Sequence, residues 1–138
     1  MCIAANQKVG VSMTEHVHST TGSSKASSTD SSRMQSCIDA CISCARDCGA
    51  CGRACLETAS QETVACAKAC LDCQEICLLA TGFMQRTSPM SAVICRACAD
   101  ACDACAKECD RHTSEHCRRC AEACRACAIE CRRMAGAA

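Results

Sequence analysis

Twenty of the 21 cysteines in this 138-residue chain fall on four stripes along which steps of three and four residues alternate without a break. The first stripe is Cys37, Cys41, Cys44, Cys48, Cys51 and Cys55, and the second is Cys66, Cys70, Cys73 and Cys77. The third is Cys95, Cys98, Cys102, Cys105 and Cys109, and the last is Cys117, Cys120, Cys124, Cys127 and Cys131. A mean step of about 3.5 residues keeps side chains on one helical face, where a bundle normally carries Leu or Ile. Here that face is thiol, so the core itself is the candidate site, and its chemistry is that of a soft-metal ligand.

Other uses of the thiols fit less well. Packed helices have axes about 8–10 Å apart, whereas a disulfide needs Cα atoms within about 7 Å, and 21 is odd. A buried Cys does behave as a small hydrophobe, but ordinary aliphatic residues fill space better and do not oxidise. The ferredoxin run of iron–sulfur proteins needs two consecutive three-residue steps, which the stripes never contain. Zinc suits four thiolates, yet each such site carries a charge near −2, and several in one dry core without Lys or Arg on the stripe are penalised. Copper(I) is soft and accepts few ligands. If each thiolate bridges neighbouring ions, about one Cu(I) per Cys leaves the core near neutral, a capacity that means storage rather than a catalytic centre.

Four helices must position these stripes. Ser32-Arg33-Met34-Gln35 matches a capping box and predicts a first helix to about Glu57. Thr58-Ala59-Ser60 supplies a cap for a second helix, from about Gln61 to Arg86. Ser88-Pro89 predicts the third helix start, which continues to about Asp110. A link around His112-Thr113-Ser114 leads to a fourth helix ending near Met134, before Gly136. The expected fold is all-α, an up-down-up-down four-helix bundle with a cysteine-filled core over residues 32–135. Residues 1–31, rich in Ser and Thr, read as a flexible tail holding Cys2, Met13, His16 and His18.

Zero formal net charge gives no electrostatic reason for a nucleic-acid partner. Pairs four apart, Arg53–Glu57, Lys68–Asp72, Asp103–Lys107 and Glu115–Arg119, read as a solvated outer face. A second apolar set, Ile38, Ile42, Leu56, Leu71 and Leu78, either fills between helices or faces another protomer. No segment reaches the ~20 apolar residues of a membrane span, and no secretory signal is visible after Met1. The expected compartment is the cytoplasm, where thiols stay reduced.

The run Cys95-x-x-Cys98-x-x-x-Cys102-x-x-Cys105-x-x-x-Cys109 and its three counterparts resemble the bacterial cytosolic copper storage proteins, over about residues 33–135. The resemblance implies Cu(I) held by core thiolates in a homotetramer of four-helix bundles. Copper ions and, transiently, a copper chaperone are then the expected partners, with no enzymatic turnover. Two other readings stand beside it: a zinc or cadmium sequestering protein, and a thiol redox sensor or oxidoreductase, which would need an exposed low-pKa cysteine in a βαβ setting.

The topology sorts the remaining soft ligands by end. Met34, Met84, Met90 and Met134 gather at one end, as a hydrophobic plug or a relay, and Met34, Met84 and Met134 keep the stripe register. His112, three beyond Cys109, and His116, four before Cys120, gather at the other. These histidines are the expected copper entrance, with Glu57 and Glu62 as nearby carboxylates, because imidazole should hold Cu(I) more weakly than paired thiolates and can pass it on.

Overall fold

A computed structural model of the chain describes residues 24–58 and 60–136. Its helices are α1 (Ser24–Thr58), α2 (Gln61–Gln85), α3 (Ser91–Cys109) and α4 (Glu115–Met134). α1 and α3 each pack on both α2 and α4, so neighbours in sequence are neighbours in space around a square. This is the expected up-down-up-down bundle, with no strand among the described residues. No described helix is long and apolar enough to cross a membrane.

Helix ends show where local signals hold and where they fail. α1 starts at least eight residues before the Ser32 capping box, which therefore lies inside the helix. Ser and Thr cost only about 0.5 kcal/mol each in a helix interior, and lengthening a formed helix adds one hydrogen bond per residue fixed. The Arg33–Asp30 ion pair at 3.7 Å adds a weak brace there. The expectations for Cys2, Met13, His16 and His18 lie outside the described residues.

α2 begins as predicted. The Ser60 side chain accepts the Thr63 N–H at 3.2 Å, and Thr63 Oγ1 accepts the Ser60 N–H at 2.9 Å. Its other end closes by two backbone bonds, Ser88 N–H to Phe83 O and Thr87 N–H to Met84 O, which form a Schellman motif. Thr87 takes the left-handed conformation there (φ 50°), a role usually given to Gly and costly for a β-branched residue. Ser88 is not the cap of the third helix: its Oγ accepts the Met90 N–H at 3.2 Å in the turn before it, and the N-cap is Met90, without a side-chain cap. The first turn is tightened, with Ser91 N–H bonded to Ser88 O, so the α-helix proper starts at Ser91 and not at Pro89. Gly136, at φ 74°, ends α4.

On the outer face, Arg53–Glu57 forms as expected at 3.0 Å. The other partners change. Glu115 pairs with Arg118, Arg119 reaches Asp47 of α1 at 3.4 Å, and Asp103 pairs with Arg132 of α4. α1 and α2 approach closely where α1 carries Gly: a Cβ on Gly49 would meet the Gln74 amide at 2.5 Å. Of the second apolar set, Ile38 is buried while Ile42, Leu56, Leu71 and Leu78 are exposed. Phe83, the chain's one aromatic residue, lies under the Arg86 guanidinium at 4.0 Å.

Candidate metal centre

Every cysteine on the four stripes points inward, none more than 1% exposed. Small Ala residues beside them, such as Ala67, Ala99, Ala121 and Ala128, are buried too and let the helices close around the sulfurs. Thiols from different helices touch along the whole bundle. Cys44 and Cys124 are 3.6 Å apart, Cys73 and Cys102 3.6 Å, Cys77 and Cys98 3.6 Å, and Cys120 and Cys48 3.5 Å.

These contacts assemble quartets whose sulfurs all lie within 4.8 Å of one another. Starting near the His end, one is Cys51, Cys66, Cys109 and Cys117, and the next is Cys48, Cys105, Cys120 and Cys124. There follow Cys44 with Cys48, Cys73 and Cys124, then Cys44 with Cys77, Cys102 and Cys127, then Cys41 with Cys98, Cys127 and Cys131. Successive quartets after the first share members: Cys48, Cys124, Cys44 and Cys127 each belong to two. The core is therefore a continuous ladder, not a row of separate sites. Sulfurs about 3.8 Å apart leave an ion at their centre about 2.3 Å from each, an ordinary metal–thiolate distance. Spacing alone admits either zinc or copper. Sharing and charge separate them, because bridging thiolates balance about one monovalent ion each and no cation enters the core.

Burial acts on the thiols from every side. It pushes Cys55 and Cys66 up, and Cys117 up to about 12. Cys51 is the exception at the His end: hydrogen bonding from the Cys109 thiol, then from Cys70 and the His116 ring, draws it down to about 6.

The structure brings His112 and His116 to one place. Both line a cavity of about 210 Å³ with Cys55, Thr58, Thr63 and Cys117. His116 Nδ1 lies 3.3 Å from Cys51 Sγ and 3.5 Å from Cys117 Sγ, in touch with the first quartet. The same ring borders an outer crevice with Asp47 and Arg119. His112 Nε2 is buried without a hydrogen-bond partner, 3.8 Å from the Glu108 carboxylate. Glu57 and Glu62 do not line this mouth: Glu57 is exposed and held by Arg53, and Glu62 is exposed on α2. The carboxylate beside His112 is Glu108, which does not line the cavity itself. Its position four residues before His112 was a signal in the sequence.

At the other end Met84 is fully buried, and Met34 and Met134 pack partly buried against the core, while Met90 is 47% exposed. The three methionines in stripe register are the three that turn inward. A redox-protein reading finds no support, since every stripe cysteine is buried and the described residues hold no strand.

A family profile described as copper storage protein matches residues 30–136. The cysteine-rich protein YhjQ of Bacillus subtilis is 44% identical over 83 residues, covering 59% of this chain and 77% of its own length. Among solved structures, the Cu(I)-bound copper storage protein BsCsp3 superposes with a TM-score of 0.71 at 43% identity, over 75% of this chain and 98% of its own. A cytosolic copper storage protein from Streptomyces lividans, with five coppers, gives 0.73 at 34% identity, over 79% of this chain and 97% of its own.

Proposed function

The chain belongs to the copper storage protein family, and from that premise we propose that it stores many Cu(I) ions, bound by the twenty stripe cysteines inside the bundle. The observation that carries this is the ladder of shared thiol quartets, closed to solvent and free of cationic side chains. Each ion that binds displaces about one thiol proton, so the interior stays near neutral as it fills. His112 and His116 form the mouth, and the first ions pass from imidazole to Cys51 and Cys117. Holding Cu(I) in a dry thiolate core keeps it from other proteins' metal sites and from redox cycling, and requires no turnover. The cytosol, where thiols stay reduced, suits such a core. The exposed Ile42, Leu56, Leu71 and Leu78 support a homotetramer built on the α1 and α2 faces. Delivery and removal by a copper chaperone would take place at the mouth.

Anaerobic titration of the reduced chain with Cu(I), against a competing chelator, tests this reading. Uptake of more than about ten Cu(I) per chain is expected, with few Zn(II) retained in the parallel titration. Saturation near about five ions, with Zn(II) held as firmly, would move the assignment to zinc. A second experiment addresses the mouth. Replacing His112 and His116 together by Ala should slow Cu(I) uptake on the order of tenfold, with final capacity unchanged. Equal rates in stopped-flow loading would remove the histidines from the path.

A further inference from the structure

The thiol ladder does not end in thiol. Cys95 is the last cysteine of α3 at the end remote from His112 and His116, and its Sγ lies 3.7 Å from the Met84 Sδ. The thiols of Cys131 and Cys37 neighbour Cys95 as well, and these two are 3.7 Å from each other. Met84 is the largest fully buried side chain among the described residues. Thr81, four past Cys77, and Ser91, four before Cys95, continue the stripes beside it and are also buried. The Ser91 hydroxyl has no hydrogen-bond partner. A plain apolar plug would be served as well by Leu. What distinguishes this position is that the sulfur of Met84 faces the terminal thiol.

Charge explains why a thioether belongs there. Inside the ladder a thiolate bridges ions on both sides, so its negative charge is shared. At the end of the ladder there is no ion beyond, and one more thiolate would leave unbalanced charge in a site closed to water. A thioether is soft and neutral, so it completes the coordination of the last ion without adding charge.

We infer that Met84 is a copper ligand, its thioether joining the Cys95 thiolate, beside Cys37 and Cys131, in the terminal Cu(I) site of the ladder. The inference rests on the storage reading. On binding, Cys95 releases its proton to solvent, Met84 releases nothing, and copper stays Cu(I), so no oxidant is needed.

The test uses full-length chain with selenomethionine at its six methionines, loaded anaerobically with Cu(I). Selenium-edge X-ray absorption fine structure is expected to show copper in the first shell of a fraction of the selenium atoms. That shell should vanish in Met84→Leu, with capacity lower by about one ion, and persist in the Met34→Leu/Met134→Leu double variant. A loaded protein without a copper shell on selenium overturns the inference and leaves storage intact. Persistence in Met84→Leu overturns it as well, as does loss of the shell in the double variant, which decides the matter if Met84→Leu does not fold. A chain that takes up no copper strikes the storage reading first and this inference with it.

Discussion

The metal-free bundle is expected to unfold on alkaline titration, with a midpoint between about pH 10 and 11, while the copper-loaded bundle keeps its helicity. Burial holds Cys55, Cys66 and Cys117 above their ordinary range, Cys117 up to about 12. A group raised in the folded state gives stability that is fully present below its unfolded pKa and is lost as pH rises toward the folded value. The unfolded chain ionises these three thiols at pH ~8.5, below the pH at which the folded chain does. At about pH 9.5 each thiol that stays protonated in the fold costs it about 1.4 kcal/mol relative to the unfolded chain. Three such thiols remove about 4 kcal/mol there and about 8 kcal/mol one pH unit higher, within the stability of a typical domain at roughly 5–15 kcal/mol. Copper reverses the effect, since a thiolate that holds an ion has no proton to lose. Far-ultraviolet circular dichroism against pH on both forms checks this, and apo helicity that survives to about pH 12 would refute it.

Copper loading should raise the melting temperature by tens of degrees. One ion at a hundred times its dissociation constant adds about 2.7 kcal/mol to the folded state. Ten ions add about 27 kcal/mol, beyond the stability of the apo bundle itself. Binding of Cu(I) by thiols of the unfolded chain reduces that figure, but scattered thiols cannot reproduce the shared quartets. The apo form is expected to melt near 45–65 °C, as ordinary domains do, and the loaded form to show no transition below about 95 °C. Stripping the copper with a strong chelator should restore the lower transition. A shift of less than about 5 °C at full loading would mean that the ions sit outside the folded core.

The bundle and its thiol core were legible in the sequence because one residue type marked every inward position. Cys37 to Cys131 report helical phase directly, and all twenty are buried where the phase put them. Helix ends were less legible. The Ser32 box looks like a start only if the residues before it cannot be helical, and nothing in Ser24–Ser31 forbids that. Ser88 and Pro89 signalled a helix start two to three residues early, because the tight turn through Pro89 and Met90 moved the N-cap to Met90 and the α-helix to Ser91. The left-handed Thr87 could not be read, because its cost is met by the turn it closes and not by its own chemistry. Partners across helices depend on how each helix is rotated, which is why Arg119 reaches Asp47 and not Glu115. Glu57 was readable: two residues past Cys55, it lies about 200° around α1 from the stripe.

Phe83 and its covering Arg86 stand at the end of α2, and the chain has no Trp or Tyr at all. Among the described residues the apolar side chains packed against the sulfur core are Ala, Ile and Met, with the His116 ring at the mouth. Indole and phenol are the side chains that relay electrons through protein, and this chain contains neither. Whatever charge moves along the sulfurs inside, there is no indole or phenol stepping stone from them to an oxidant outside. The fold that closes the core to water also insulates it electrically, and reduced copper held there would keep its electron.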